Sequence, residues 1–205
     1  MLNIYIARHG QDVDNERGIL NGRRDSPLTK TGISQAKVES KKLTNLDISF
    51  EAIYTSPLKR AILTAEIISK SQSGTKPIVM DELIERDFGI MTGKKHTEIE
   101  LLCSPNIIRT NTCTYFLNPY GSETFPQLRM RAKRVIDQIK NKHKKGNILL
   151  VTHGDIGKMI YASYHHLDWK VALMQFHFGN AEVVLLSRKL DLTNPIMVES
   201  EQFNL

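Results

Sequence analysis

The chain has 205 residues, 40% hydrophobic and 24% charged, the composition of an ordinary globular protein. Its 28 Lys and Arg against 22 Asp and Glu leave a formal charge of +6, which suits nucleic acid, an acidic surface or a small anionic substrate without choosing among them. No apolar run approaches the ~18 residues that span a bilayer, no basic leader precedes the first apolar stretch, and Cys103 and Cys113 are too few for a disulfide framework, so a cytoplasmic protein with free thiols is expected.

Ile4 to Ala7 (IYIA) is a short run of β-branched and aromatic character, the pattern of a buried strand, and it stops at Arg8, His9 and Gly10. The strand thus delivers an arginine and a histidine together. Gly10 allows a sharp turn, and the polar run after it predicts a short helix whose free amides would face an anion beside His9. Taken alone, an Arg-His pair at a strand end is more often a hydrogen-bonded surface pair. Leu20 to Leu28 (LNGRRDSPL) reads as a loop, after which Thr29 or Thr31 can cap a helix running to about Leu46. Ala52 to Thr55 is a second strand. Ser56 is a plausible cap and Pro57 suits the first turn of a helix carrying Ala61, Ile62, Ala65 and Ile68, which puts Arg60 near its start.

Pro77 to Met80 is a brief third strand, followed by DELIERDFGIMTG. Gly93 to Tyr120 is irregular, with a short helix near Thr97 to Cys103, and reads as an insertion lying over something. Thr124 to about Lys142 has apolar positions at spacings of three and four, a helix; the basic run Lys140 to Lys145 falls at its end, where cations oppose the helix dipole. No aromatic residues interleave with those lysines as a single-strand stacking platform requires. Ile148 to Val151 is a central strand, apolar throughout, ending in Thr152-His153-Gly154-Asp155 ahead of another helix. Glu182 to Ser187 is a last strand, and the tail after Lys189 carries no signal.

Strands alternating with helices predict a three-layer α/β/α sandwich with a mostly parallel central sheet and a small cap insertion. Residues 1–205 are expected to form one domain, with the cap at about 90–122. Ligands of such sheets sit beyond the carboxyl ends of the strands, and three strands here end in Arg8-His9, near Arg60, and at His153.

The fragments ARHGQ (7–11) with Asn15, NGRRDSPLTKTGISQA (21–36), YTSPLKRAILTA (54–65), LIERDFG (83–89), YGSET (120–124), VTHGD (151–155) and Asn180-Ala181 together resemble the histidine phosphatases of the phosphoglycerate mutase-like superfamily. That resemblance implies a metal-independent phosphatase without cofactors, in which His9 accepts the phosphoryl group. Arg8, Arg60 and His153 would line the phosphate pocket, and Glu85 would donate the proton. It also implies substrate contacts from Asn15, Asn21, Gly22 and Gly154. Lys94 is placed with these, although for Lys94, Lys95 and Arg109 a solvated surface role is at least as good a reading.

The chemistry wants these residue types independently. A neutral imidazole is a competent nucleophile near neutral pH, and two arginines with a protonated His153 can stabilise the equatorial phosphoryl oxygens without a metal. Glu85 can protonate the leaving alkoxide if burial raises its pKa; Glu82 is a rival. The other histidines, His96, His143, His165, His166 and His177, read as structural or surface residues. Three departures bear on the substrate: Gly89 to Gly93 lacks the aromatic and acid usual after the proton donor, Asp12 stands where Thr or Ser is usual, and Ser122 replaces a common glycine. The expected partner is a small phosphorylated metabolite, with neither nucleic acid nor membrane. A phosphoglycerate mutase and a non-catalytic phospho-ligand binder are the competing readings.

Overall fold

The computed structural model describes residues 1–72 and 74–186; Ser187, the expected end of the last strand, and the tail after Lys189 lie outside the described residues. A five-stranded sheet takes the order β3-β2-β6-β1-β7, formed by β1 (Leu2–Arg8), β2 (Ala52–Thr55), β3 (Ile78–Val79), β6 (Gly146–Thr152) and β7 (Val183–Leu186). All pairs are parallel except β1 with β7, which run antiparallel.

The sheet is covered on both faces, and the strand sequences say why. Along β1, Ile4 and Ile6 point to one core while Tyr5 and Ala7 point to the other; along β6, Ile148 and Leu150 alternate in the same way with Leu149 and Val151. The first core is closed by α5 (Phe125–Lys142) and α6 (Gly154–Tyr164), which bring Leu128, Val135, Ile139, Met159 and Ile160. The second is closed by α2 (Lys30–Asn45) and α3 (Lys59–Lys70), which bring Leu43, Ala61, Ala65 and Ile68. Fully burying one such aliphatic side chain contributes about 1.5–3 kcal/mol. A continuous apolar run such as Ile148 to Val151 is therefore what a doubly covered central strand requires.

The helix caps are local. Thr29, rather than Thr31, accepts the amide of Gly32 to start α2, and Thr124 forms a reciprocal capping box with Gln127 to start α5. Three expectations are corrected. Ser56 is not the cap of α3: that helix begins after Leu58 with no side-chain cap, and the Lys59 amide is taken by Asp25 Oδ1 at 2.8 Å. The third strand is only two residues long. The insertion is not merely irregular, because after α4 (Ile99–Cys103) it carries a hairpin of β4 (Ile107–Arg109) and β5 (Thr114–Phe116), whose alternation is too short to read in sequence. A short helix α7 (Trp169–Gln175), capped by Asp168, also went unread. No described helix is long and apolar enough to cross a membrane.

Candidate active site

Parallel register brings the two histidines together. Arg8 on β1 pairs with Thr152 on β6, and the His9 amide donates to the Thr152 carbonyl at 3.0 Å, so His9 and His153 each follow the end of adjacent strands. Their ring centroids are 5.0 Å apart. Strand β2 ends one step away, where the Ser56 amide donates to the Val151 carbonyl, and Arg60 enters from the first turn of α3. The Arg60 guanidinium is fully buried. Its two terminal nitrogens donate to the carbonyls of Arg24 (2.6 Å) and Gly22 (2.8 Å), leaving Nε to face His9 Nε2 and His153 Nδ1, each at 3.2 Å.

These contacts fix the state of both rings. His9 Nδ1 lies 2.7 Å from the Gly10 carbonyl and so carries the hydrogen, which leaves an Nε2 lone pair towards Arg60. His153 Nε2 lies 2.7 Å from Ser56 Oγ, and its Nδ1 faces Arg60. Burial first, then the charges of Arg60 and Arg8, hold the His9 pKa well below the usual imidazole range. For His153 the same burial and Arg60, with His9 and Arg8 behind them, act in the same direction. His153, anticipated from sequence as protonated, is thus held neutral by its own surroundings.

The turn after His9 is set by backbone contact with the start of α2. A Cβ on Gly10 would collide with the Gly32 carbonyl, and one on Gly32 would collide with the backbone of Gln11. The helix after this turn, α1 (Val13–Glu16), does not offer free amides to an anion: Asp12 caps it, its Oδ1 accepting from the Asn15 amide at 2.8 Å. Asp12 Oδ2 lies 2.5 Å from Asn21 Nδ2, 3.3 Å from Arg60 Nε and 4.0 Å from His9 Nδ1.

Glu85 is buried against the start of α6. Its Oε1 accepts from the amides of Arg86 (2.8 Å) and Ile156 (3.2 Å), its Oε2 from that of Asp155 (3.2 Å). Burial, then the Asp155 charge, raises its pKa, and the three amides oppose the shift. Glu82 is bonded to Gln138, its pKa is lowered, chiefly by that hydrogen bond, and it does not line the cavity that Glu85 lines. Arg86 behind Glu85 is locked by Asp155 Oδ2 at 2.7 Å and by the ring faces of Phe116 and Phe125.

A cavity of about 410 Å³ opens beside this cluster, lined by Arg8, Asn15, Asn21, Glu85 and Gly154 among the expected residues. Gly22 is adjacent, through its bond to Arg60, with φ of +49° and with Phe88 against it. His9, Arg60 and His153 do not line the cavity; Asn180, which does, donates from Nδ2 to the His9 carbonyl (3.2 Å) and to Asn15 Oδ1 (3.1 Å). Lys94 is not brought to the site. Its side chain is exposed, and its backbone joins the loop at Leu20. Arg109 is likewise outside, exposed and paired with Glu100 at 2.6 Å.

Among the lining residues that the sequence reading did not assign to the site are His96, Cys113, Lys158 and His177. Only Lys158 had a signal, standing four residues after Gly154 on the same face of a helix. It is 7% exposed, donates to the Phe176 carbonyl, and burial pulls its pKa down to about 8. Arg8 Nε and His177 Nε2 are buried without a hydrogen-bond partner among the described residues. No group of three or more described His, Cys, Asp or Glu side chains is arranged to hold a metal ion.

Comparison with known proteins identifies the family and the fold. The family model of the histidine phosphatase superfamily (branch 1) matches residues 4–194. A 2,3-bisphosphoglycerate-dependent phosphoglycerate mutase of Rhizobium etli is 31% identical over 76% of this chain and 76% of its own length. A metal-independent phosphoserine phosphatase of Arabidopsis thaliana is 32% identical over 77% of this chain and 66% of its own. Among solved structures, the phosphoserine phosphatase of Entamoeba histolytica in complex with 3-phosphoglyceric acid shares the fold, with a TM-score of 0.72 at 23% identity, covering 90% of each chain.

Proposed function

The chain belongs to the histidine phosphatase superfamily, and from that premise we propose that it is a metal-independent phosphomonoesterase acting on a small phosphorylated metabolite through a phosphohistidine on His9. The observation that carries this reading is the state of His9: its Nδ1 hydrogen is held by the Gly10 carbonyl, and its Nε2 lone pair faces Arg60 Nε. A neutral, oriented imidazole attacks phosphorus from Nε2, and Arg8, Arg60 and His153 take the phosphoryl oxygens. His153 gains basicity once a dianion sits beside it and then serves as a charged donor. Glu85, whose pKa burial raises, gives a proton to the leaving alkoxide and recovers one from the attacking water. Asn15, Asn21, Gly22 and Gly154 complete the phosphoryl site, residues 1–205 act as one unit, and the 90–122 segment is its cap.

Beyond the phosphoryl group, Lys158 with the unpartnered nitrogens of Arg8 and His177 favours a substrate carrying a carboxylate. The names of the similar proteins, which include phosphoserine and 3-phosphoglyceric acid, support this class. Water is the proposed acceptor. A mutase must hold its phosphorylated intermediate enclosed, and here the cap between Gly93 and Gly121 has no pair of adjacent arginines, while Arg109 is engaged by Glu100 on the outside. A pure binder would need neither His9 nor Glu85.

The test is rapid quench with labelled phosphoserine and 3-phosphoglycerate, in the presence of EDTA. Wild type should form an acid-labile phosphoenzyme and release inorganic phosphate; His9→Ala should do neither. Isomerisation of 3-phosphoglycerate in the presence of 2,3-bisphosphoglycerate, with negligible phosphate release, would establish the mutase reading instead. Label persisting in His9→Ala would remove His9 as the acceptor.

A further inference from the structure

Glu85 stands in irregular backbone just after a single 3-10 turn, Asp81–Leu83. The carbonyls of four consecutive residues there are taken by side chains rather than by a regular ladder. Thr152 Oγ1 donates to that of Leu83 at 2.7 Å. Arg131 of α5 donates to the other three: Nη1 to Glu82 and Ile84, each at 2.6 Å, and Nη2 to Glu85 at 3.3 Å. Its two remaining hydrogens, one on Nη2 and one on Nε, go to the Glu123 carboxylate at 2.7 and 3.0 Å. All five guanidinium hydrogens are thereby used. Arg131 is 7% exposed, on a helix face that otherwise carries Leu128, Ala132 and Val135, where a charge is tolerated only if its donors are paired. Arg23 reaches the same point from the loop whose Gly22 and Arg24 carbonyls hold Arg60: its Nε donates to the Glu85 carbonyl at 3.1 Å and its Nη2 to Glu123 Oε2 at 3.4 Å.

We propose that Arg131, oriented by Glu123, is the positioning residue of the proton donor, fixing the backbone from Glu82 to Glu85 so that the Glu85 carboxyl meets the leaving oxygen of a substrate seated at the phosphoryl site. The inference rests on the reading of Glu85 as the general acid. Such an acid must stand within hydrogen-bond reach of the oxygen it protonates, and a displacement of about 1 Å can cost about a hundredfold in rate. Arg23, Glu123 and Arg131 do not line the cavity, so their route to the reaction runs through Glu85. The Glu85 carbonyl is where the two arginines converge, and Arg23 ties that carbonyl to the loop that also holds Arg60. Lysine cannot replace Arg131 here, because an ammonium has three donors and no planar fork to span a carboxylate and three carbonyls together.

The test uses two aryl esters, p-nitrophenyl phosphate and phenyl phosphate, of which the second has the poorer leaving group and depends more on the acid. Glu85→Gln should lower kcat/KM for phenyl phosphate about tenfold or more beyond its effect on the p-nitrophenyl ester. Folded Arg131→Lys and Glu123→Gln should show the same bias towards phenyl phosphate; Ile139→Val, which loosens the packing of the same helix, should leave the ratio of the two substrates at the wild-type value. In a Glu85→Gln background, Arg131→Lys should cost less than about threefold more, since two residues acting as a unit are not additive. Should Arg131→Lys not fold, Glu123→Gln decides alone, as Gln keeps the shape of the side chain and one acceptor oxygen. Equal losses on both esters in the folded variants, or a full additional loss in the Glu85→Gln background, would make Arg131 a purely structural residue and overturn the proposal while leaving Glu85 as the acid. Equal losses on both esters in Glu85→Gln itself would overturn the proton-donor reading and this proposal with it.

Discussion

Ser56 Oγ lies 2.7 Å from His153 Nε2, with both side chains fully buried. Each comes from the end of its own strand, β2 or β6, so a hydroxyl that sequence suggested as a helix cap instead accepts the Nε2 hydrogen of a histidine whose tautomer is set by Arg60, a donor only. With Nε2 carrying the hydrogen, His153 Nδ1 is left facing Arg60.

Ser56→Ala should therefore impair activity beyond its effect on stability. Leaving the buried Nε2–H unpaired costs about 1–3 kcal/mol and loosens the ring, whose Nδ1 stays the acceptor of Arg60. We expect kcat/KM to fall roughly tenfold, with the His153 Nε2 resonance shifting in the 15N NMR spectrum as its hydrogen bond is lost. Unchanged nitrogen shifts would show that Ser56 does not fix the ring.

Gly32→Ala is expected to damage both fold and site. The added Cβ meets the backbone of Gln11, which cannot move without displacing the turn that carries His9. Overpacking of this kind costs about 1–3 kcal/mol or more, a Tm decrease of roughly 4–8 °C if the cost is about 2 kcal/mol. A Tm and kcat both equal to wild type would mean that the α2 contact does not hold the turn.

Glu39 on α2 gives a pH prediction separate from catalysis. It is 2% exposed, its Oε1 has no hydrogen-bond partner among the described residues, and burial raises its pKa to about 7. A carboxyl whose folded pKa lies above its unfolded value is best accommodated while protonated. Its contribution is intact below the ordinary carboxyl value of 4.5, declines as pH rises to about 7, and is fully lost above that. The shift corresponds to about 3 kcal/mol. Glu39→Gln should raise the unfolding free energy at pH 8 by an amount of that order, with a much smaller change at pH 4.5. An offset of the same size at both pH values would rule out titration of Glu39 as the cause.

Lys158 and Arg109 should separate cleanly on a substrate panel. Losing a charged hydrogen bond worth about 1.5–3 kcal/mol, Lys158→Met should lower kcat/KM for phosphoserine at least ten times more than for p-nitrophenyl phosphate. Arg109→Ala removes only an exposed pair with Glu100 and should change neither rate by more than about twofold. Equal losses on both substrates in Lys158→Met would place that residue in general folding rather than in recognition.

The alternation of apolar strands with amphipathic helices gave the layered architecture, because a doubly covered parallel strand must be apolar on both faces, as Ile148 to Val151 is. The same logic placed Arg8, His9, Arg60 and His153 at one edge, since parallel strands present all their carboxyl ends to the same side. Local chemistry also sufficed for the caps at Thr29 and Thr124, which need only residues three apart. It misled at Ser56, where a cap motif was overridden by a tertiary partner 97 residues away.

What the tertiary structure alone decided is the state of the charges. Nothing in the order of residues says that Asp12 would meet Asn21 and Arg60, that Glu85 would sit on the amides of α6, or that His153 would be neutral. Nor could it seat Lys158 and His177 in the cavity while leaving Lys94 and Arg109 outside it. Strand and helix periodicity fixes which face a residue takes within its own element. The field at a titratable group is instead the sum over neighbours from other elements, set by how burial strips away water and which distant donors remain.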